Sequence, residues 1–203
     1  KFIVSVSISG TDYRNQWPIW VYPTSGGAEG KVHYTRSVSE AKQLLAKGET
    51  VLLNPAIEEL KGVTGRFVPV FWSPVHFPDQ PATMGVLCNP DHPALADFPT
   101  EFHSNWQWWD LCIQSKALIL DDLQVDPIVR VIDNFVTNRN LGTLFEAQVG
   151  EGKLMFSSID LNTELESRLV ARQLRSSLMD YMNSDSFDPK IQMEFSDLQK
   201  LMN

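Results

Sequence analysis

The chain opens on a strict alternation. Phe2, Val4, Val6 and Ile8 fall on one side, and Ile3, Ser5, Ser7 and Ser9 on the other. A period of two with one apolar side predicts a half-buried β-strand. Gly10 to Gln16 reads as a turn, and Pro18 to Tyr22 (PIWVY) predicts a second strand, with Trp17 and Trp20 close by. Residues 23–30 (PTSGGAEG) are rich in turn formers and predict a linker. Two strands do not make an independent domain. Residues 1–23 are therefore expected to finish, or lean on, something else.

Strand and helix signals then alternate. Val32 to Thr35 predicts a short strand, and Ser37 to Glu40 reads as a capping box, with hydroxyl and carboxylate meeting free N–H groups at a helix start. That helix carries Ala41, Leu44 and Leu45 and stops at Gly48. Thr50 to Leu53 predicts a buried strand, and Asn54-Pro55 predicts a helix start with Asn as cap. Phe67 to Phe71 reads as a strand or edge interrupted by Pro69, and Ser73 to Thr83, with three prolines, as irregular. Met84 to Cys88 predicts a strand, and Asp91 to Phe98 a short helix capped by Asp91.

Four more strands are expected at Lys116–Leu120, Ile128–Ile132, Gly142–Val149 and Lys153–Ile159, the last two joined as a hairpin through Gly150-Glu151-Gly152. Thr163 to Glu166 reads as a second capping box. The helix it opens places Leu165, Leu169, Leu174, Leu178 and Met182 on one stripe that packs on a sheet. Residues 184–203 form a polar tail with scattered apolar positions, read as a helix that docks elsewhere. The alternation indicates an α/β domain over residues 31–183, with a mainly parallel sheet and helices on both faces.

Composition narrows the partners. The formal charge of −8 and the absence of any Lys/Arg run argue against nucleic acid, whose phosphates need a basic patch. No apolar stretch approaches the ~20 residues of a membrane span. The two cysteines, Cys88 and Cys112, have apolar neighbours and read as buried free thiols more readily than as a disulfide.

Chemistry concentrates between His92 and Asp110, HPALADFPTEFHSNWQWWD, where three of the six tryptophans fall. Trp106, Trp108 and Trp109 are candidates for stacking on a sugar face, with His103 and Glu101 beside them. Packing in a core or between domains is the simpler reading, because aromatic clusters mostly fill cores. Phe98, Phe102, Leu111 and Ile113 flank the cluster, so at least two of the three tryptophans are expected to be core. In an extended segment Trp106 and Trp108 share a side; on a helix Trp106 and Trp109 do. His92, His103, Asp110 and Glu101 match no metal-ligand spacing. Cys88 and His92 stand four apart, but prolines intervene. No phosphate-binding glycine pattern is present, and no cofactor is expected.

The runs LLAKGETVLLNP, VFWSPVHF, MGVLCNPDHPALADFPTEFHSNWQWWDL, PIVRVIDNF and LGTLFEAQVGEGKLMFSSIDL resemble the C-terminal region of large glycoside hydrolase family 2 proteins of Bacteroides-type bacteria. The resemblance spans about residues 17–183. It implies a flavodoxin-like domain of the class I glutamine amidotransferase type. It also implies a periplasmic or extracellular setting and catalytic carboxylates in an upstream barrel outside this chain. Residues 1–23 would then be the tail of a preceding β-sandwich. Active amidotransferases place a cysteine between small residues on a strained elbow; Val86-Leu87-Cys88-Asn89-Pro90 and Asp110-Leu111-Cys112-Ile113-Gln114 do not. No catalytic residue is carried over.

The expected role is a non-catalytic accessory domain that packs on upstream domains of the same polypeptide or helps subunits associate. The alternatives are a carbohydrate-binding module using the tryptophans and a thiol-dependent amidotransferase-like hydrolase. Partners are expected to be those upstream domains, carbohydrate, or a second copy of the chain, and neither nucleic acid nor membrane.

Overall fold

A computed structural model describes residues 1–23, 30–67, 75–76 and 83–203. Strands β1 (Phe2–Ser7) and β2 (Arg14–Ile19) form an antiparallel hairpin. Its second strand starts four residues before the expected Pro18. The turn is tight enough for pairing to resume at once: Gly10 takes φ +76°, and the Thr11 N–H and hydroxyl both donate to the Ile8 carbonyl. The centre of the expected linker, residues 24–29, lies outside the described residues.

Strand β3 (His33–Thr35) leads into α1 (Val38–Leu45) and then β4 (Thr50–Leu53). Ser37 caps α1 by accepting the Glu40 N–H at 3.3 Å. The return half of the expected capping box is missing. The Glu40 carboxylate accepts instead from the Thr35 hydroxyl, and the Ser37 N–H donates to Thr35 Oγ1. Asn54 does not cap a helix either. It is buried after β4: Nδ2 donates to the Ser157 and Ile159 carbonyls at 2.8 and 2.7 Å, and Oδ1 accepts from the Leu161 N–H and the Tyr34 hydroxyl. All four valences of the amide are used to tie strand ends together. After Pro55 the chain makes only a 3-10 turn, Ile57–Glu59.

The chain continues through β5 (Gly62–Thr64), which the sequence pattern does not announce, and β6 (Thr83–Cys88). Most of the expected Phe67–Phe71 strand and of the irregular Ser73–Thr83 stretch lies outside the described residues. Pro93–Leu95 forms a 3-10 turn capped by His92, whose Nδ1 accepts the Ala94 N–H, rather than a helix capped by Asp91. Then come α2 (Trp109–Ile113), β7 (Lys116–Ile119), β8 (Val129–Asp133), β9 (Leu141–Val149) and β10 (Gly152–Ser157). Helix α3 (Leu169–Met182) begins later than the expected box at Thr163. Glu164 adopts φ +52° there and closes a turn instead. The tail is not a separate helix: β11 (Gln192–Met193) pairs with β9, and α4 (Asp197–Lys200) buries Leu198 beside Leu201.

Among the described residues the larger sheet has nine strands, with the path β3-β4-β10-β9-β7-β5; β8 joins β9 to β6, and β11 also pairs with β9. The molecule is mixed α/β, but the sheet is mixed rather than mainly parallel. Parallel pairing holds for β3-β4, β4-β10 and β9-β11. It is antiparallel for β10-β9, β9-β7, β7-β5, β9-β8 and β8-β6. Short connections set part of this pattern: β9 and β10, joined by Gly150-Glu151, and β8 and β9, joined by residues 134–140, lie side by side and so run antiparallel.

Alternate residues of the central strands face two cores. Leu52, Leu144 and Met155 pack with Leu111 of α2 and Leu174 and Leu178 of α3. Val51, Leu53, Phe145, Leu154 and Phe156 pack with Ala41 and Leu45 of α1 and Leu198 of α4. Both faces are thus covered, which explains why β4 reads as a continuous apolar run.

Candidate functional site

The tryptophan stretch is placed by β6. Phe102–Ser104 runs along that strand, with Cys88 N–H donating to the Phe102 carbonyl and Ser104 N–H to the Val86 carbonyl. Asn105 then stops the extended run. Its Oδ1 accepts the Gln107 N–H at 3.0 Å and caps a 3-10 turn, Trp106–Trp108, that flows into α2. The segment is helical, so Trp106 and Trp109 share one side and Trp108 faces the other.

Trp108 is core: it is 0% exposed, meets Phe98 edge-to-face at 5.4 Å and donates its indole N–H to Thr100 Oγ1 at 2.8 Å. Trp106 is 71% and Trp109 48% exposed. The expectation that at least two of the three are core is therefore corrected to one. A helical turn at the molecular edge can bury only one side.

Trp106 and Trp109 line a groove of ≈ 580 Å³ together with Trp20, Tyr22, Gln107, Asp110 and the start of α3. Its walls are held by specific contacts. Trp20 Nε1 donates to the Pro99 carbonyl at 3.2 Å, and Gln107 Nε2 donates to the Tyr22 hydroxyl at 2.8 Å. Burial pushes the Tyr22 phenol up to about 12, so it remains a neutral hydroxyl. Asp110 accepts from Arg168 Nε at 3.1 and 3.0 Å, and Arg168 Nη2 lies 2.9 Å from Asp110 Oδ2 but out of line for a hydrogen bond. Trp106 leans on Phe67 at 5.6 Å. The contributions of Trp20 and Tyr22 are far away in sequence, and only their aromatic character hinted at them.

The other candidates do not join this groove. Glu101 accepts from Lys1 Nζ at 2.7 Å and from Asn105 Nδ2 at 2.8 Å, and these bonds hold its carboxyl below the usual carboxylate range. His103 packs edge-on against Phe102, with Nδ1 3.1 Å from the Ser104 carbonyl. Glu101 and Asp110 are each committed to a different cation, so they do not form an acid–base pair. Among the described residues no three His, Cys, Asp or Glu side chains converge as metal ligands.

Neither thiol is set up as a nucleophile. Cys88 Sγ donates to the Glu101 carbonyl at 3.3 Å, and burial pushes it up to about 11; Cys112 is pushed to about 12 by burial. Both stay protonated at neutral pH. His92 is spent on its cap and on an edge-on contact with Tyr181, and burial lowers its pKa.

The second exposed surface is the β1–β2 hairpin. Its register puts Phe2, Val4 and Val6 opposite Ile19, Trp17 and Asn15, on one face. Phe2, Val4, Val6, Ile8, Trp17 and Ile19 are all exposed. The opposite face carries Ser5, Ser7, Arg14 and Gln16 beside Ile3 and Pro18; Ser5 Oγ accepts from Arg14 Nη2 and donates to the Gln16 amide oxygen. The hairpin is tied to the body at its base by Lys1–Glu101, Trp20–Pro99, Tyr22–Gln107 and an Arg172 bond to the Pro23 carbonyl.

Residues 33–203 match the family described as Domain of unknown function (DUF8487), and residues 1–23 match a second, Domain of unknown function (DUF8488). No curated protein matches the chain.

Proposed function

For a chain that belongs to the family described as Domain of unknown function (DUF8487), we propose a role as an accessory domain that packs against upstream domains of its own polypeptide, a glycoside hydrolase family 2-like carbohydrate-degrading protein. The observation that carries the docking role is the hairpin. A two-stranded sheet is marginal on its own, and this one leaves a whole apolar face uncovered. A face of Phe, Val, Ile and Trp backed by a face with Ser5, Ser7, Arg14 and Gln16 is half of a sandwich, and the missing half is a second sheet packed about 10 Å away. We read the covering sheet as the β-sandwich that precedes this domain.

The carbohydrate-degrading parent rests on the sequence resemblance. So does the finer fold assignment, a flavodoxin-like domain of the amidotransferase type. The parallel trio β3-β4-β10, with α1 crossing between β3 and β4, supports that assignment. The two high-pKa thiols support a role without thiol catalysis.

The reading frame upstream of Lys1 tests the proposal. A sandwich followed by the tail seen here, with a catalytic barrel in the same frame, is expected. A start codon and signal sequence immediately before Lys1 would contradict it.

A further inference from the structure

A groove between Trp20–Tyr22, Trp106–Asp110 and the start of α3 lies apart from the apolar face of the hairpin. Two indoles are left in water at its rim although a buried position for an indole, that of Trp108, exists one residue away. Exposing large aromatic surface is costly unless something covers it.

The polar groups supply the second observation. Gln107 lines the groove and is only 4% exposed; its Nε2 is used by Tyr22, and its Oε1 has no hydrogen-bond partner. Among the described residues, Gln107 Oε1 is the buried side-chain polar atom without a hydrogen bond that belongs to a residue lining this groove. An unmade buried hydrogen bond is expensive, so a ligand that completes one gains affinity. That atom is an acceptor, and a ligand hydroxyl is a donor that satisfies it.

Charge decides the rest. Asp110 is neutralised by Arg168, so the groove favours neither a cation nor an anion. Its chemistry is flat aromatic surface interleaved with planar hydrogen-bonding side chains. A ligand that matches has an apolar C–H face and an edge of hydroxyls, and carries no charge.

We propose that this groove binds the pyranose rings of a neutral, β-linked oligosaccharide, with Trp106 and Trp109 as stacking platforms and the Gln107 side chain as hydroxyl partner. In such chains equatorial hydroxyls leave axial C–H bonds on the ring faces, which is the surface an indole accepts. The inference does not depend on the docking role of the hairpin, whose apolar face is formed by other residues.

Titration of the full chain with cellohexaose, xylohexaose and mannohexaose, read by tryptophan fluorescence and calorimetry, tests it. Saturable binding of at least one is expected by about 1 mM. Trp106→Ala and Trp109→Ala are each expected to weaken it about tenfold or more at unchanged melting temperature, since stacking on one aromatic ring is worth that much. Trp109→Phe keeps a ring and should retain most of the affinity. Binding of none of the three sugars, or binding indifferent to both alanine variants, would overturn the proposal. So would groove variants that release an upstream domain and leave sugar binding intact, which would make the groove a protein interface.

Discussion

Almost no water reaches the carboxylate at the end of β8. Asp133 is met by the Arg139 guanidinium, with Nε at 2.8 Å, and by the backbone N–H groups of Arg139 and Asn134, each at 2.8 Å. Burial alone would raise its pKa; these contacts outweigh burial and hold the carboxyl below its ordinary value. A depressed carboxyl stabilises the fold only while it is charged. The stabilisation is fully present above the unfolded carboxyl pKa of about 3.9 and is lost as pH falls through the lower folded value. Denaturant melts of the parent and of Asp133→Asn should differ by a constant amount above about pH 5 and converge below about pH 4. A gap that widens on acidification would show that the contact does not stabilise the charged form. Nothing in the sequence marks this pair, because Asp133 and Arg139 meet only through the loop that joins β8 to β9. The tryptophans are the reverse case. Their density flagged the site, but which one turns inward depended on the Asn105 cap, which makes the segment helical.

Strands were the most legible elements, since two-residue periodicity or a short apolar run survives in β1, β4, β7, β8, β9 and β10. Helix starts were the least. Asn54, Asp91 and Thr163 all have the chemistry of a cap, and in each case a competing contact or a turn took the position; Asn54 is the clearest, drawn into a buried network between strand ends. Close approach between elements is also invisible in the pattern. At Gly152, where β10 begins, a Cβ would stand 2.7 Å from both the Leu45 Cα and its carbonyl oxygen and 2.9 Å from the Glu49 carbonyl oxygen. Backbone on that side cannot swing away as a side chain can. Gly152→Ala is therefore expected to destabilise the domain by about 1–3 kcal/mol in a urea titration, by parting α1 from β10. An unchanged midpoint would mean that this packing is looser than the distances show.

At the scale of the whole molecule two regions of unequal stability are joined. The central strands of the larger sheet have both faces buried, while the β1–β2 hairpin holds itself by one ladder and a few contacts at its base. The sequence already isolated residues 1–23 as strands without partners. It did not reveal the sheet's direction, because a parallel reading follows from alternating strands and helices, whereas direction depends on which strands become neighbours, and β7-β5, β9-β7 and β8-β6 pair antiparallel. Local opening should track this division, since free energies of opening scale with buried contact. In the proposed docking role, a sheet upstream of Lys1 covers the hairpin. Amide hydrogen exchange on this chain, and on the polypeptide extended upstream of Lys1, measures that directly. Phe2–Ser7 and Arg14–Ile19 should exchange far faster than β9 and β10 in the chain alone, and should gain protection, together with the Val4, Trp17 and Ile19 face, when the upstream sequence is present. Equal exchange of the hairpin in the two proteins would contradict the account.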